Sequence, residues 1–143
     1  MNWSKEDALI LSVLNQDGGS ALDVKGIDAE KFLHIARIEG LSGILYSILT
    51  KNEMIRMFPD FMQTALKESY LSNLAYNTLL LQDRDRLLSA LEEKGINTVV
   101  LKGAAMLEKI YPDIGERQIT DIDLLFLGGE EREASSILEG LGY

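Results

Sequence analysis

Apolar positions recur at helical spacing through the first hundred residues. Residues 5–15 (KEDALILSVLN) carry a short stripe that ends at the turn signal Asp17-Gly18-Gly19. A second helix is predicted to start at Asp28, whose side chain can cap the free amides of AEKFLHIARIEG, and to end near Gly40. A third covers residues 42–51, with Ile44, Leu45, Ile48 and Leu49 as its buried face. Pro59 suits the first turn of a long helix over residues 59–94, because its missing amide proton would be unpaired there, and Gly95 supplies a left-handed stop. Leu71, Leu74, Thr78, Leu81, Leu88 and Leu91 follow steps of three and four along it, broken at Asp85. At 1.5 Å per residue this helix would be about 50 Å long. Either it bends near Asp83-Arg84-Asp85-Arg86, or part of it packs on another chain as a homo-oligomer contact.

The texture then changes. Asn97-Thr98-Val99-Val100-Leu101 is a β-branched run that reads as a buried strand. Lys102-Gly103 follows at once and AAMLEKIY resumes helical spacing. Pro112 and Gly115 mark a loop, Ile119 to Leu127 (ITDIDLLFL) reads as a second strand, Gly128-Gly129 turns, and EEREASSILEGLG is a final helix. The expected fold class is α+β: a helical region over residues 1–95, then a strand-helix-strand-helix unit over residues 96–143.

Composition narrows the function classes. The 143 residues include no cysteine and one histidine, which excludes a disulfide scaffold and a thiolate zinc site. No apolar run approaches the roughly 20 residues that span a bilayer, and MNWSKED lacks the apolar core of a signal peptide, so a cytoplasmic location is expected. The net charge is −9, and residues 102–143 hold 4 basic and 9 acidic side chains. With no basic stripe, the chain lacks the electrostatic footprint of a protein that binds long nucleic acid.

The sharpest chemical feature is Asp121-Ile122-Asp123. On a strand the two aspartates would share one face, about 7 Å apart at the α-carbons, while Ile122 points inward. Two carboxylates that close repel unless a cation sits between them, and Mg²⁺ takes this kind of donor together with substrate phosphates. A strand with an acidic solvent face has the same pattern. Upstream, a strand runs into Lys102-Gly103-Ala104-Ala105 and a helix, whose free amides and dipole favour an anionic phosphate. Gly103 would let the backbone approach that phosphate, although a tight left-handed turn also explains a glycine. Lys102 is either a surface lysine or a cation for a triphosphate.

A strand, a glycine turn, a helix and a second strand with two carboxylates resemble the DNA polymerase β-like nucleotidyltransferases. More closely, LKGAAMLEKIYPDIGERQITDIDLLF, followed by a helix ending in LEGLGY, is similar to a bacterial family of uncharacterised nucleotidyltransferases. These carry a helical leader, then L-K-G-x-A, Y-P-x-x-G-x-R and S/T-D-I-D-L-L; FLHIARIEGLSGILYSIL resembles their leader. The resemblance covers about residues 30–143. It implies catalytic, metal-binding roles for Asp121 and Asp123, and nucleotide contacts at Lys102, Gly103, Ala104 and Arg117. It further implies two Mg²⁺ ions, a nucleoside triphosphate substrate, an unidentified acceptor hydroxyl, and release of pyrophosphate by a two-metal displacement.

Two departures qualify what the resemblance implies. Ala104 stands where the wider superfamily has glycine or serine, which removes a hydroxyl contact to phosphate. The superfamily's third carboxylate comes from a later strand, and this sequence ends at Tyr143 without one, so a C-terminally truncated family member with an incomplete fold and site is expected. Such a chain could be inactive, and the competing expectation is a non-catalytic helical interaction module with a vestigial nucleotide fold. A D-x-D glycosyltransferase fits less well, since those enzymes place a long α/β region before the motif. His34 and Trp3 are expected to pack structurally, and Asp83 to Arg86 to form a solvated helix face with internal pairing.

Overall fold

A computed structural model describes residues 3–15 and 22–143; the turn expected at Asp17-Gly18-Gly19 lies outside them. The chain divides into two compact units, one of Met1–Ala75 with Gly115–Gln118 and the other of Tyr76–Ile114 with Ile119–Tyr143. They therefore part inside the long helix, whereas the sequence suggested a division at residue 95.

In the first unit, α1 (Lys5–Asn15), α2 (Ala29–Ile38) and α3 (Ser42–Lys51) form where the apolar spacing places them. Ser4 and Asp7 cap α1 reciprocally: the Asp7 amide donates to Ser4 Oγ at 3.2 Å, and the Ser4 amide donates to Asp7 Oδ2 at 2.9 Å. Asp28 caps α2 as expected, its carboxylate accepting from the Lys31 amide at 3.0 Å. Phe32, Ala36, Leu45 and Leu49 are fully buried together with Val13, Met62 and Leu66. Trp3 is 60% exposed and His34 is also exposed, so neither packs structurally as expected. Amphipathic spacing assigns a helix face, but it does not say whether a side chain near that face reaches the core.

Glu6 ties the first two helices. Its carboxylate accepts from the Asp28 amide at 2.9 Å and pairs with Lys31 Nζ at 2.7 Å. Lys31 and then the Asp28 amide hold its carboxyl down from 4.5 to about 2. Because the folded value lies below the ordinary one, the stability Glu6 contributes is present above pH 4.5 and is lost as pH falls through about 2. Thermal melts should accordingly show Glu6→Gln less stable than wild type at neutral pH, with the gap closing below pH 4.5. A gap independent of pH would refute this role.

The long helix is α4 (Asp60–Glu92), 33 residues and unbroken across Asp83–Arg86. It starts one residue later than expected, with Pro59 as the flanking residue whose carbonyl accepts from Met62 and Gln63. It ends ahead of Gly95, which takes the left-handed φ of +75°. Of the expected stripe, Leu81 and Leu91 are buried but Leu71 and Thr78 are exposed, while Asn77 is completely buried and Leu80 and Leu87 are buried as well.

In the second unit, β1 (Thr98–Leu101), α5 (Lys102–Ile110), β2 (Asp123–Phe126) and α6 (Glu131–Gly140) follow α4. The strands pair antiparallel, from Thr98 with Phe126 to Leu101 with Asp123. Among the described residues this is a two-stranded sheet, so the chain is α+β. Val100, Leu124 and Phe126 face the helices, whereas the pair Val99 and Leu125 is exposed. The strand expected to be buried is thus covered on one face. The second strand is also shorter than the expected Ile119–Leu127, because residues 119–122 have no partner strand and run as irregular chain.

Candidate functional site

Three irregular stretches surround the residues singled out by sequence, and local chemistry fixes each. The first is the junction of β1 and α5. Leu101 is extended and Lys102 adopts a left-handed φ of +50°, after which the helix begins. Of the two explanations the sequence left open for Gly103, the left-handed turn falls instead on Lys102, at a cost of about 1–2 kcal/mol for a residue with a Cβ. Gly103 is required for a different reason. A Cβ there would come within 2.9 Å of Ile119 Cγ2, so the glycine lets the start of α5 lie against the loop that leads to the aspartates.

The second stretch is that loop, residues 111–122. Asn77 of α4 grips both ends of it: Nδ2 donates to the Ile114 carbonyl at 2.6 Å, and Oδ1 accepts from the Ile119 amide at 3.4 Å. Tyr76 Oη donates to the Thr120 carbonyl at 3.3 Å. Ile119 itself is buried against Leu80, Leu81, Ala104 and Leu107. Side chains of α4 therefore fix the backbone immediately ahead of Asp121. The sequence signal was present but hidden: Asn77 lies eleven residues after Leu66, on the helical phase of the buried positions, where an apolar count skips a polar residue.

Between those ends, Gly115–Gln118 belongs to the first unit. The Glu116 carboxylate, buried, accepts from Ser47 Oγ at 2.6 Å and pairs with Lys51 Nζ at 2.9 Å. A Cβ on Gly43 would collide with the Gly115 carbonyl, so α3 needs a glycine for this segment to dock. Arg117 is exposed and lies in this segment, so the compact unit that holds Lys102, Gly103, Asp121 and Asp123 does not include it.

The third stretch is the entry to β2. Asp123 is the first strand residue and pairs in register with Leu101, on the sheet face that also carries Val99 and Leu125. Its carboxylate accepts from Lys102 Nζ at 3.0 Å. Asp121 is exposed and stands before the ladder begins, not within the strand as expected. It lines a groove of about 570 Å³ with Ile122, Leu124, Tyr76, Leu79 and Asp83. Ala104 is buried, so its side chain is a core contact and its backbone alone remains for a ligand.

The Asp83–Arg86 run, expected to pair within itself on a solvated face, reaches other elements of the second unit. Arg84 pairs with Asp85 at 2.7 Å, and its Nη1 also reaches Glu108 of α5 at 2.6 Å with only 13% of the side chain exposed. Arg86 donates to the Leu141 carbonyl at 3.4 Å. Desolvation first, and then a hydrogen bond to Asp83, push the Tyr143 hydroxyl above its ordinary value.

Among the described residues, no three histidine, cysteine or acidic side chains converge as a metal cage. Mg²⁺ does not need one, since it is commonly held by one or two carboxylates while phosphate and water supply the other oxygens. The Lys102 ammonium on Asp123 shows that this carboxylate is open to a cation, and the exposed Asp121 carboxylate two residues earlier is a second oxygen donor of the kind such an ion takes. Among the described residues no single helix is long and apolar enough to cross a membrane.

No curated protein and no solved structure matches the chain. A family profile described as "Uncharacterised nucleotidyltransferase" matches residues 25–143, taking in α2 through α6 and every residue of the site above. The chain belongs to this uncharacterised nucleotidyltransferase family.

Proposed function

We propose that the chain binds a nucleoside triphosphate with Mg²⁺ at the β1–α5 turn and the Asp121–Asp123 segment, as the nucleotide-binding part of a nucleotidyltransferase. The reaction would transfer a nucleoside monophosphate from the triphosphate to an acceptor hydroxyl, with release of pyrophosphate. The observation that carries the reading is the pairing of Lys102 with Asp123, which brings the glycine turn and the acidic motif, some twenty residues apart in sequence, to one end of the sheet.

Each residue has a distinct task. Asp121 and Asp123 present carboxylate oxygens to the cation, and two ions are expected in a complete site. Lys102 and the first free amides of α5 face the phosphates, where positive charge and a helix N-terminus favour an anion. Gly103 and Ala104 contribute backbone. When bound, Mg²⁺ would activate the acceptor oxygen and stabilise the departing pyrophosphate. The groove beside Asp121, apolar on most sides, suits the organic part of the nucleotide or acceptor.

Calorimetric titration of ATP, GTP, CTP and UTP, each with Mg²⁺ and again with EDTA, tests the proposal. At least one nucleotide should bind, and its affinity should fall when Mg²⁺ is removed. Absence of binding by all of them would remove the nucleotide reading and leave a helical interaction module.

A further inference from the structure

Lys102 has an uncommon setting. Its backbone is left-handed, a conformation that glycine adopts without penalty and lysine does not. That turn follows directly on Leu101, the residue opposite Asp123 in the ladder, so the side chain returns across the strand pair and reaches the carboxylate at 3.0 Å. The Lys102 side chain remains 73% exposed and that of Asp123 30% exposed, so the pair is open to solvent and weakly held. An easily displaced cation thus rests on the carboxylate to which the function above assigns a metal, at the N-terminus of the helix to which it assigns phosphate.

We propose that Lys102 is an internal counter-ion that regulates this site: it rests on Asp123 in the absence of metal and moves to nucleotide phosphate when a divalent cation takes that carboxylate. The proposal rests on the nucleotide and metal reading above. Metal and nucleotide then bind cooperatively through Lys102, in addition to any direct bridging between them. Because the pair is solvent-exposed, Lys102 yields to the cation at small cost, and the exchange changes the charge facing the phosphates without moving the backbone.

The exchange predicts effects of opposite sign. Mn²⁺ alone, followed by electron paramagnetic resonance, should bind Lys102→Met about two- to five-fold more tightly than wild type, whereas nucleotide with metal should bind it more weakly. In EDTA, Asp123→Asn should bind nucleotide about two- to five-fold more tightly than wild type, because Lys102 is already released. Asp121→Asn removes the same charge without freeing Lys102 and should give a smaller gain. The double variant Lys102→Met/Asp123→Asn should lose the gain altogether. Melting temperatures of every variant, and of Lys102→Gly, which relieves the left-handed strain, separate binding losses from unfolding.

Equal gains in Asp121→Asn and Asp123→Asn would overturn the exchange, as would unchanged Mn²⁺ affinity in Lys102→Met. Failure of the wild type and Lys102→Met alike to bind Mn²⁺ or any of the four nucleotides would instead overturn the functional reading on which the exchange depends.

Discussion

Asp121→Asn should weaken Mg²⁺-dependent nucleotide binding by at least about 100-fold, the upper end of what loss of a mere supporting residue costs a metal site. The expectation follows from the placement of this side chain. It is exposed, precedes the strand ladder, and opens onto the groove, so its carboxylate is free of core packing. An amide of the same shape keeps the local geometry but loses the anionic oxygen that a hard cation requires. Thermal stability should accordingly change by less than about 0.5 kcal/mol, as is usual for a surface substitution. Titration with Mg²⁺ and with EDTA checks the first expectation and a melting curve the second. Undiminished Mg²⁺-dependent binding would remove Asp121 from the metal site.

Asn77→Leu should lower stability by about 2–6 kcal/mol. Leucine keeps the branching of asparagine but carries two bulkier methyl groups, so it adds some overpacking to the loss of polar partners. The Ile114 carbonyl and the Ile119 amide lose their side-chain partner in an environment where Asn77 is completely shielded from water. Each buried group left unpaired costs about 1–3 kcal/mol. Denaturant titration measures the total, and faster hydrogen exchange at the Ile119 amide would localise it. A loss below about 0.5 kcal/mol would mean that water replaces both bonds and that Asn77 does not hold the loop. The same substitution should weaken nucleotide binding, because Ile119 abuts Gly103 and Thr120 leads directly into Asp121.

Much of the scaffold was legible in the sequence. The helices over residues 5–15, 28–40 and 42–51 have caps or apolar stripes written in adjacent residues, and Gly95 marks the end of α4 by its lack of a side chain. The errors share a cause. Leu71 and Thr78 continue the expected stripe, yet the structure buries Asn77 instead, because a polar side chain with its hydrogen bonds made is acceptable in a core. Gly103 was singled out for a phosphate approach or a left-handed turn, whereas the packing reason for a glycine there, contact with Ile119, depends on a residue sixteen positions away. Arg84 pairs with its neighbour Asp85 as expected, but its second partner, Glu108, lies on another helix and so could not be read from adjacent residues.

What the sequence determined by itself is the order and type of most elements and the α+β class. Periodicity, capping and turn chemistry act over a few residues, so they can be read along the chain. Tertiary structure decided where the second strand starts, which residue adopts the left-handed turn, and that Lys102 meets Asp123. Those outcomes depend on the register of β1 against β2 and on the grip of Asn77 on a remote loop. Register and grip arise only when distant segments pack together, since hydrogen bonds and ion pairs between them are absent from the extended chain.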